Sequence, residues 1–253
     1  MGTVSIREAR RQLASAQKSN RGAAGYSRWI NRPLGRQFAA VLYVWGATPN
    51  QVSLLSAAFT YSAICSLAVF PPTWPLAIWV TAGLIVGYAL DSADGQVARL
   101  SGAGSPAGEW LDHVLDSAKI AMFHAAVAIC WFRWYHLDRP AWLLVPLAFG
   151  AASSVFFFAL ILSDMLRRID RLARTGSAGS AAATSTLNPK EAAPVLRSLL
   201  VLPNDYGLLC LVMLLIPLHS VFRSAYTVLA VCSAAFLAMG TLRWLREMRT
   251  FAK

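Results

Sequence analysis

The chain has 253 residues, 57% of them hydrophobic and only 14% charged, with a mean hydropathy of +0.49 and a formal net charge of +11. A soluble domain carries about a quarter charged residues, so this composition excludes an ordinary globular protein and points to several helices spanning a bilayer. The four cysteines, Cys65, Cys130, Cys210 and Cys232, are scattered through apolar runs, which excludes a disulfide framework or a zinc site and marks them as small core residues.

The positive charge is segregated. Eight Lys/Arg precede position 37, six lie between 167 and 197, and four between 243 and 253. Such banding suits an anionic membrane surface and argues against a nucleic-acid partner. The first 22 residues are polar and basic without an apolar core, so no cleavable signal is expected, and Ile6 makes the opening Met-Gly a poor myristoylation match.

Residues 1–46 form a cytoplasmic and interfacial segment. Within it Trp29, Ile30, Leu34, Phe38, Val41, Leu42 and Trp45 recur at helical spacing while Arg28, Arg32 and Arg36 share another face. This predicts an amphipathic helix lying in the interface, with Pro33 starting or kinking it. Thr48-Pro49-Asn50 then turns the chain into the first of six predicted spans: about 51–70, 75–98, 110–133, 140–163, 198–218 and 224–244. The Ala/Ser/Gly/Thr-rich stretch 172–194 reads as a flexible cytoplasmic loop. The expected architecture is a single all-α membrane domain with both termini on the basic side. By the positive-inside rule that side is the cytoplasm, as in a multi-pass protein of the cell (inner) membrane.

The second and third spans carry the unusual chemistry. Five of the chain's twelve acids fall between positions 91 and 116: Asp91, Asp94, Glu109, Asp112 and Asp116. A carboxylate at the bilayer centre costs roughly 2.5–3.5 kcal/mol, so the cluster needs a function. Seventeen helical residues from Trp74 rise about 25 Å, which brings Asp91 and Asp94 to the cytoplasmic boundary. They are three apart and share a face. After a turn through Ser101-Gly102-Ala103-Gly104-Ser105-Pro106, Asp112 and Asp116, four apart, share a face in the first turns of the next span. The two pairs therefore meet at one depth on antiparallel neighbours. Four carboxylates outnumber the nearby Arg99 and Lys119, and hard oxygen ligands suit Mg²⁺ or Mn²⁺. Two ions about 4 Å apart are the expected complement, the arrangement that clamps a phosphoryl displacement. The small residues Gly95, Ala98 and Gly108 permit close approach of backbone or nucleotide. His113 and His124 lie off the carboxylate face.

Written out, D-x2-D-G-x2-A-R-x8-G-x3-D-x3-D over residues 91–116 resembles the signature of the CDP-alcohol phosphotransferase (CDP-alcohol phosphatidyltransferase) family at every specified position. The resemblance implies transfer of a phosphoryl-linked alcohol from a CDP-alcohol to an acceptor hydroxyl, with release of CMP. It implies that Asp91, Asp94, Asp112 and Asp116 hold the metals and that Asp116 is the catalytic base. Gly95, Ala98, Arg99 and Gly108, with Asp94, would frame the nucleotide, and the enzyme would be a homodimer. Asn50, level with the carboxylates, is a further candidate for the cytosine edge.

Residues 27–33 (SRWINRP) with Thr48-Pro49-Asn50 resemble the branch acting on inositol phosphate. A site at the membrane boundary suggests CDP-diacylglycerol as donor, which makes the product a phospholipid. The candidates for a phosphorylated acceptor are Lys119, Arg167, Arg168, Arg197, Arg28 and Arg32, while Asp205, beside Asn204, could bind a polar acceptor or simply cap a helix. Other acceptors in the same family (glycerol phosphate, serine, or inositol phosphate yielding a soluble phosphodiester) remain open. The reading from another class is a membrane cation transporter, which would spread its acids near the midplane over several spans.

Overall fold

The computed structural model describes residues 5–15, 25–175 and 205–251, and these are helical throughout, joined by short turns, with no strand among them. The helices are α1 (Ile6–Ser15), α2 (Arg32–Val44), α3 (Pro49–Val69), α4 (Trp74–Ser101), α5 (Pro106–Trp134), α6 (Leu144–Thr175), α7 (Tyr206–Val212) and α8 (His219–Phe251). The all-α membrane architecture expected from the sequence is therefore present. Among the described residues, five segments are long and apolar enough to cross a bilayer: α3, α4, α5, the run Pro140–Arg174 that includes most of α6, and α8. The span count differs from the six expected. Of the stretch 198–218, the described apolar helix Tyr206–Leu215 is ten residues, roughly 15 Å, too short to cross by itself. The segment 172–194 also differs at its start, because α6 continues through Thr175; the rest of it lies outside the described residues.

Local chemistry sets the helix starts. Thr48 caps α3: its hydroxyl accepts from the Gln51 amide at 3.3 Å, while Gln51 Oε1 accepts from the Thr48 amide at 2.9 Å. Ser105 caps α5, accepting from the Gly108 amide at 3.1 Å, with Pro106 in the first turn. Gly102 ends α4 at φ 68°, a left-handed conformation that favours glycine.

The interfacial segment contains the expected helix in two pieces. A π-helical turn over Ser27–Asn31 leads into α2, with Pro33 in its first turn. Trp29, Ile30 and Trp45 are exposed on it, as an interfacial anchor requires. Ahead of it, α1 is a helix that the sequence reading did not expect. Its Ala9 and Leu13 are buried in a cluster with Ala39, Ala40, Val52, Leu90, Ala93 and Val97, which joins α1 and α2 to the ends of α3 and α4.

The bundle centre is α4. On its α3 side, a Cβ added to Gly83 would lie 2.9 Å from Ala63 Cβ, and one on Gly87 would lie 3.2 Å from the Ser56 carbonyl and overlap Thr60 Oγ1. Ser56 Oγ donates to the Gly87 carbonyl at 2.8 Å. Small and hydroxylated residues thus bring the two backbones close, as is common between membrane helices. A second cluster, including Leu84, Phe123, Val127, Trp131, Met213, Phe222 and Tyr226, ties α4, α5, the α7 region and α8. By contrast α6 and α8 leave many large apolar side chains exposed, among them Val155, Phe158, Leu162, Val228, Val231 and Leu242, which suits a surface facing lipid.

Candidate active site at the α4–α5 junction

The antiparallel pair α4–α5 brings the acids together at one end of the bundle. Asp91, Asp112 and Asp116 each offer an oxygen within 4.8 Å of the other two, so three carboxylates converge on one point and could hold a metal ion. The donor set is all hard oxygen, which fits Mg²⁺ or Mn²⁺. The junction that achieves this is the Gly102 left-handed stop, two residues of turn and the Ser105 cap.

Asp94 is placed differently from its three companions. It is buried on the α3 side of α4, where Ser53 Oγ donates to its Oδ2 at 2.6 Å and the Gly95 amide donates to its Oδ1. Ser53 is one turn along α3 from Asn50. Asn50 itself reaches Gly108: a Cβ there would lie 3.0 Å from Asn50 Oδ1 and 3.3 Å from Ser105 Oγ. Gly108 is thus small because the side chain of another helix already occupies the space beside it. Gly95 faces Arg99, whose Nη1 would lie 3.5 Å from an added Cβ, and Ala98 is half-buried in the same last turns of α4. Asn50, Asp94 and Gly108 therefore meet on the side of the junction facing α3, while Gly95, Ala98 and Arg99 lie in the last turns of α4.

Lys119 is the buried cation of the site, only 6% exposed. Its ammonium donates to Asp116 Oδ1 at 2.6 Å and to Asp91 Oδ1 at 3.1 Å, and lies 5.9 Å from the centre of the Tyr206 ring. Tyr206 stands edge-on to Tyr88, and Tyr88 stacks with Tyr26, giving an aromatic wall behind the carboxylates. Burial, aided by Asp205, pushes the Tyr26 hydroxyl up to about 12, so it stays a neutral phenol. Tyr61 donates to the Leu115 carbonyl at 2.8 Å and braces α5 beside Asp116.

The other cationic candidates are more dispersed. Arg32 is close enough to Arg99 for the two charges to repel, and burial lowers its pKa. Arg28 lies over the Trp29 ring at 5.7 Å. Arg168 pairs with Glu109 at 2.8 Å at the start of α5. Arg167 makes a two-pronged pair with Glu247 of α8 at 2.7 and 2.8 Å. These two arginines fasten the ends of α5, α6 and α8 together. Asp205 caps α7: it accepts from the Gly207 amide at 3.0 Å and from the Ser27 amide at 3.1 Å, so its carboxylate ties α7 to the interfacial turn. Arg197 and Asn204 lie outside the described residues.

His113 and His124 stand away from the carboxylates, as expected from their angular positions. His113 sits 4.0 Å from Glu109, and His124 is buried with Nδ1 2.5 Å from the Tyr226 hydroxyl.

The residues that sequence reasoning missed are Ser53, Tyr61, Tyr88 and Tyr206. Ser53 had a legible signal, since Asn50, Ser53, Ser56 and Thr60 mark one polar stripe on an apolar helix. The tyrosines had none, because their contacts join helices distant in sequence.

The family model described as CDP-alcohol phosphatidyltransferase matches residues 46–236, three quarters of the chain and the whole carboxylate junction. The chain belongs to the CDP-alcohol phosphatidyltransferase family. Among the chain's curated relatives is the "Bifunctional IPC transferase and DIPP synthase" of Archaeoglobus fulgidus, 35% identical over 126 residues, covering 49% of this chain and 24% of that protein. The protein of the same name from Aquifex aeolicus is 30% identical over 149 residues, covering 58% and 31%. "Cholinephosphotransferase 1" of Saccharomyces cerevisiae is 31% identical over 111 residues, covering 41% and 27%. The matched stretch thus spans about a quarter to a third of each relative's length.

Proposed function

We propose that this protein transfers the phosphoalcohol of a CDP-alcohol to the hydroxyl of a polar acceptor and releases CMP. The observation that carries the reading is the convergence of Asp91, Asp112 and Asp116 within 4.8 Å, inside a motif that matches the family signature at all eight positions. In this reading the acceptor oxygen attacks the phosphorus bearing the donor alcohol. The bond from that phosphorus to the bridging oxygen breaks, CMP leaves with the electron pair, and Asp116 takes the acceptor's proton. Lys119 holds Asp116 Oδ1 and so fixes the direction in which the second oxygen points.

A divalent metal, Mg²⁺ or Mn²⁺, fits the three converging carboxylates, with Asp94 beside them; when bound it supplies positive charge against the diphosphate and the leaving phosphate. The nucleotide is assigned to Asn50, Asp94, Gly95, Ala98, Arg99 and Gly108, where Arg99 supplies a guanidinium.

The proposed donor is CDP-diacylglycerol and the proposed acceptor inositol phosphate. The junction at the ends of membrane helices supports the first. The interfacial residues 27–33 and the basic groups Lys119, Arg28, Arg32 and Arg197 support the second, as do relatives whose printed names specify IPC transferase, whereas Arg167 and Arg168 are paired with Glu247 and Glu109. A cavity of about 160 Å³ among α5, α6, α7 and α8, lined mainly by Phe123, Phe149, Phe156, Phe157 and Leu209 and reaching Asp205 and Tyr206, supports a substrate with an apolar chain. We place the enzyme in the cell membrane as a homodimer with the basic face and the site toward the cytoplasm.

The test is CMP release by the purified protein with Mg²⁺ and radiolabelled CDP-diacylglycerol, comparing inositol phosphate, inositol, glycerol phosphate and serine. Asp116→Asn should lower turnover by about 10²–10⁴-fold, the usual worth of a general base, while nucleotide binding persists. No CMP release with any acceptor and any CDP-alcohol would overturn the proposal.

A further inference from the structure

We propose that His124 donates a hydrogen bond from Nε2 to an ester carbonyl of the donor lipid, and so makes the enzyme prefer an ester-linked over an ether-linked glycerolipid. The inference rests on the reading above of a lipid CDP-alcohol as donor and names a determinant of its choice.

The place is the cavity among α5, α6, α7 and α8. Its lining is mostly aromatic and aliphatic, yet α5, α6 and α8 each contribute one polar residue to it: His124, Ser153 and Ser233. His124 and Ser233 are only 4% and 3% exposed. Tyr206 also lines the cavity, and its ring centre lies 5.9 Å from Lys119 Nζ, so the cavity begins beside the carboxylate junction. His124 is eight residues, about 12 Å, deeper than Asp116 on the same helix, and helical side chains lean back toward the N-terminus. A glycerolipid whose phosphate sits at the carboxylates carries its ester groups into that interval, a few bonds beyond the phosphate.

The imidazole is held in one orientation. Phe149 lies against it with ring centres 4.3 Å apart, and an added Cβ on Gly150 would sit 3.0 Å from His124 Cβ, so α6 approaches α5 closely at this point. Nδ1 is 2.5 Å from the hydroxyl of buried Tyr226, which has no second hydrogen-bond partner among the described residues. The phenol proton is therefore donated to Nδ1, and the ring hydrogen stands on Nε2. Nε2 meets no partner among the described residues, and neither do the hydroxyls of Ser153 and Ser233. A buried donor left unmet is costly. A carbonyl oxygen satisfies it, whereas a hydrocarbon chain cannot and an ether linkage projects no carbonyl toward it.

The experiment is a competition. Full-length protein in zwitterionic nanodiscs receives Mg²⁺, whichever acceptor supports CMP release, and equal amounts of CDP-diacylglycerol and a CDP-dialkylglycerol of the same chain lengths; the two lipid products are separated and counted. The wild type is expected to favour the ester lipid roughly fivefold, the worth of about one hydrogen bond. The ratio should fall to about one in His124→Asn, whose amide oxygen can still accept from Tyr226 but which has no group at the Nε2 position, and likewise in His124→Phe. A wild-type ratio of one or less overturns the proposal, as does a preference that persists in either variant when folded. Should neither variant fold, the infrared band of a ¹³C-labelled ester carbonyl decides: it must move to lower frequency when the lipid binds the wild type, and an unmoved band overturns the assignment. No CMP from either lipid with any acceptor would instead refute the lipid-donor reading, and this proposal with it.

Discussion

Gly87→Ala probes how the membrane core positions the site. The added methyl would overlap Thr60 Oγ1 and lie 3.2 Å from the Ser56 carbonyl, so α3 and α4 must separate by about 1 Å or the threonine must leave its place. Overpacking of this kind costs about 1–3 kcal/mol. The consequence for chemistry is larger than for stability, because α3 carries Asn50 and Ser53 while α4 carries Asp91 and Asp94. A misplacement of about 1 Å between them is expected to lower the rate on the order of 10²-fold. The assay is CMP release in nanodiscs alongside thermal unfolding followed by fluorescence. Thr60→Ala in the Gly87→Ala background removes the overlapping hydroxyl and leaves contacts near 3.2 Å, so the double variant should recover most of the lost rate, a positive coupling between the two sites. Wild-type turnover in the single variant, or no recovery in the double, would refute the claim that this crossing sets the site's geometry.

Three further outcomes are expected. Chelation by EDTA should abolish CMP release, and Mg²⁺ or Mn²⁺ should restore it; activity that survives exhaustive chelation contradicts the carboxylate triad as a metal centre. Ser53→Ala removes the 2.6 Å bond to buried Asp94, a contact to a charged group worth about 1.5–3 kcal/mol, and should weaken CDP-alcohol binding by roughly tenfold or more in a titration with the nucleotide. Asp205→Ala removes both the α7 cap and the tie to Ser27. It should cost about 0.5–2 kcal/mol in unfolding experiments for the cap alone, and should raise the acceptor KM only if Asp205 also touches substrate.

Relatives that share the core domain differ in the reaction their names record, an IPC transferase in two organisms and a cholinephosphotransferase in a third. The carboxylate junction lies inside the stretch that matches the family, residues 46–236, whereas the interfacial turn with Arg28 and Arg32 lies before it. Substrate choice is therefore expected to vary with that turn and with the cations at the ends of α6 more than with the carboxylates.

Much of this was written in the linear chain because it follows from spacing. Apolar run length fixes where α4 ends, and a short Gly/Ser turn starts α5 at the same level, so Asp91, Asp112 and Asp116 had to share a depth. Capping chemistry at Ser105 was equally local. What spacing does not carry is direction across helices. Asp94 turns to Ser53 because α3 packs against that side of α4, Lys119 bridges two carboxylates because α5 buries it among them, and Arg167 fastens α6 to α8 because Glu247 lies opposite. The short helix α1 escaped notice for the same reason: only Ala9 and Leu13 are apolar and buried, and their partners lie on α2, α3 and α4. One-dimensional periodicity reports which face a residue occupies; only the packed bundle decides what that face meets.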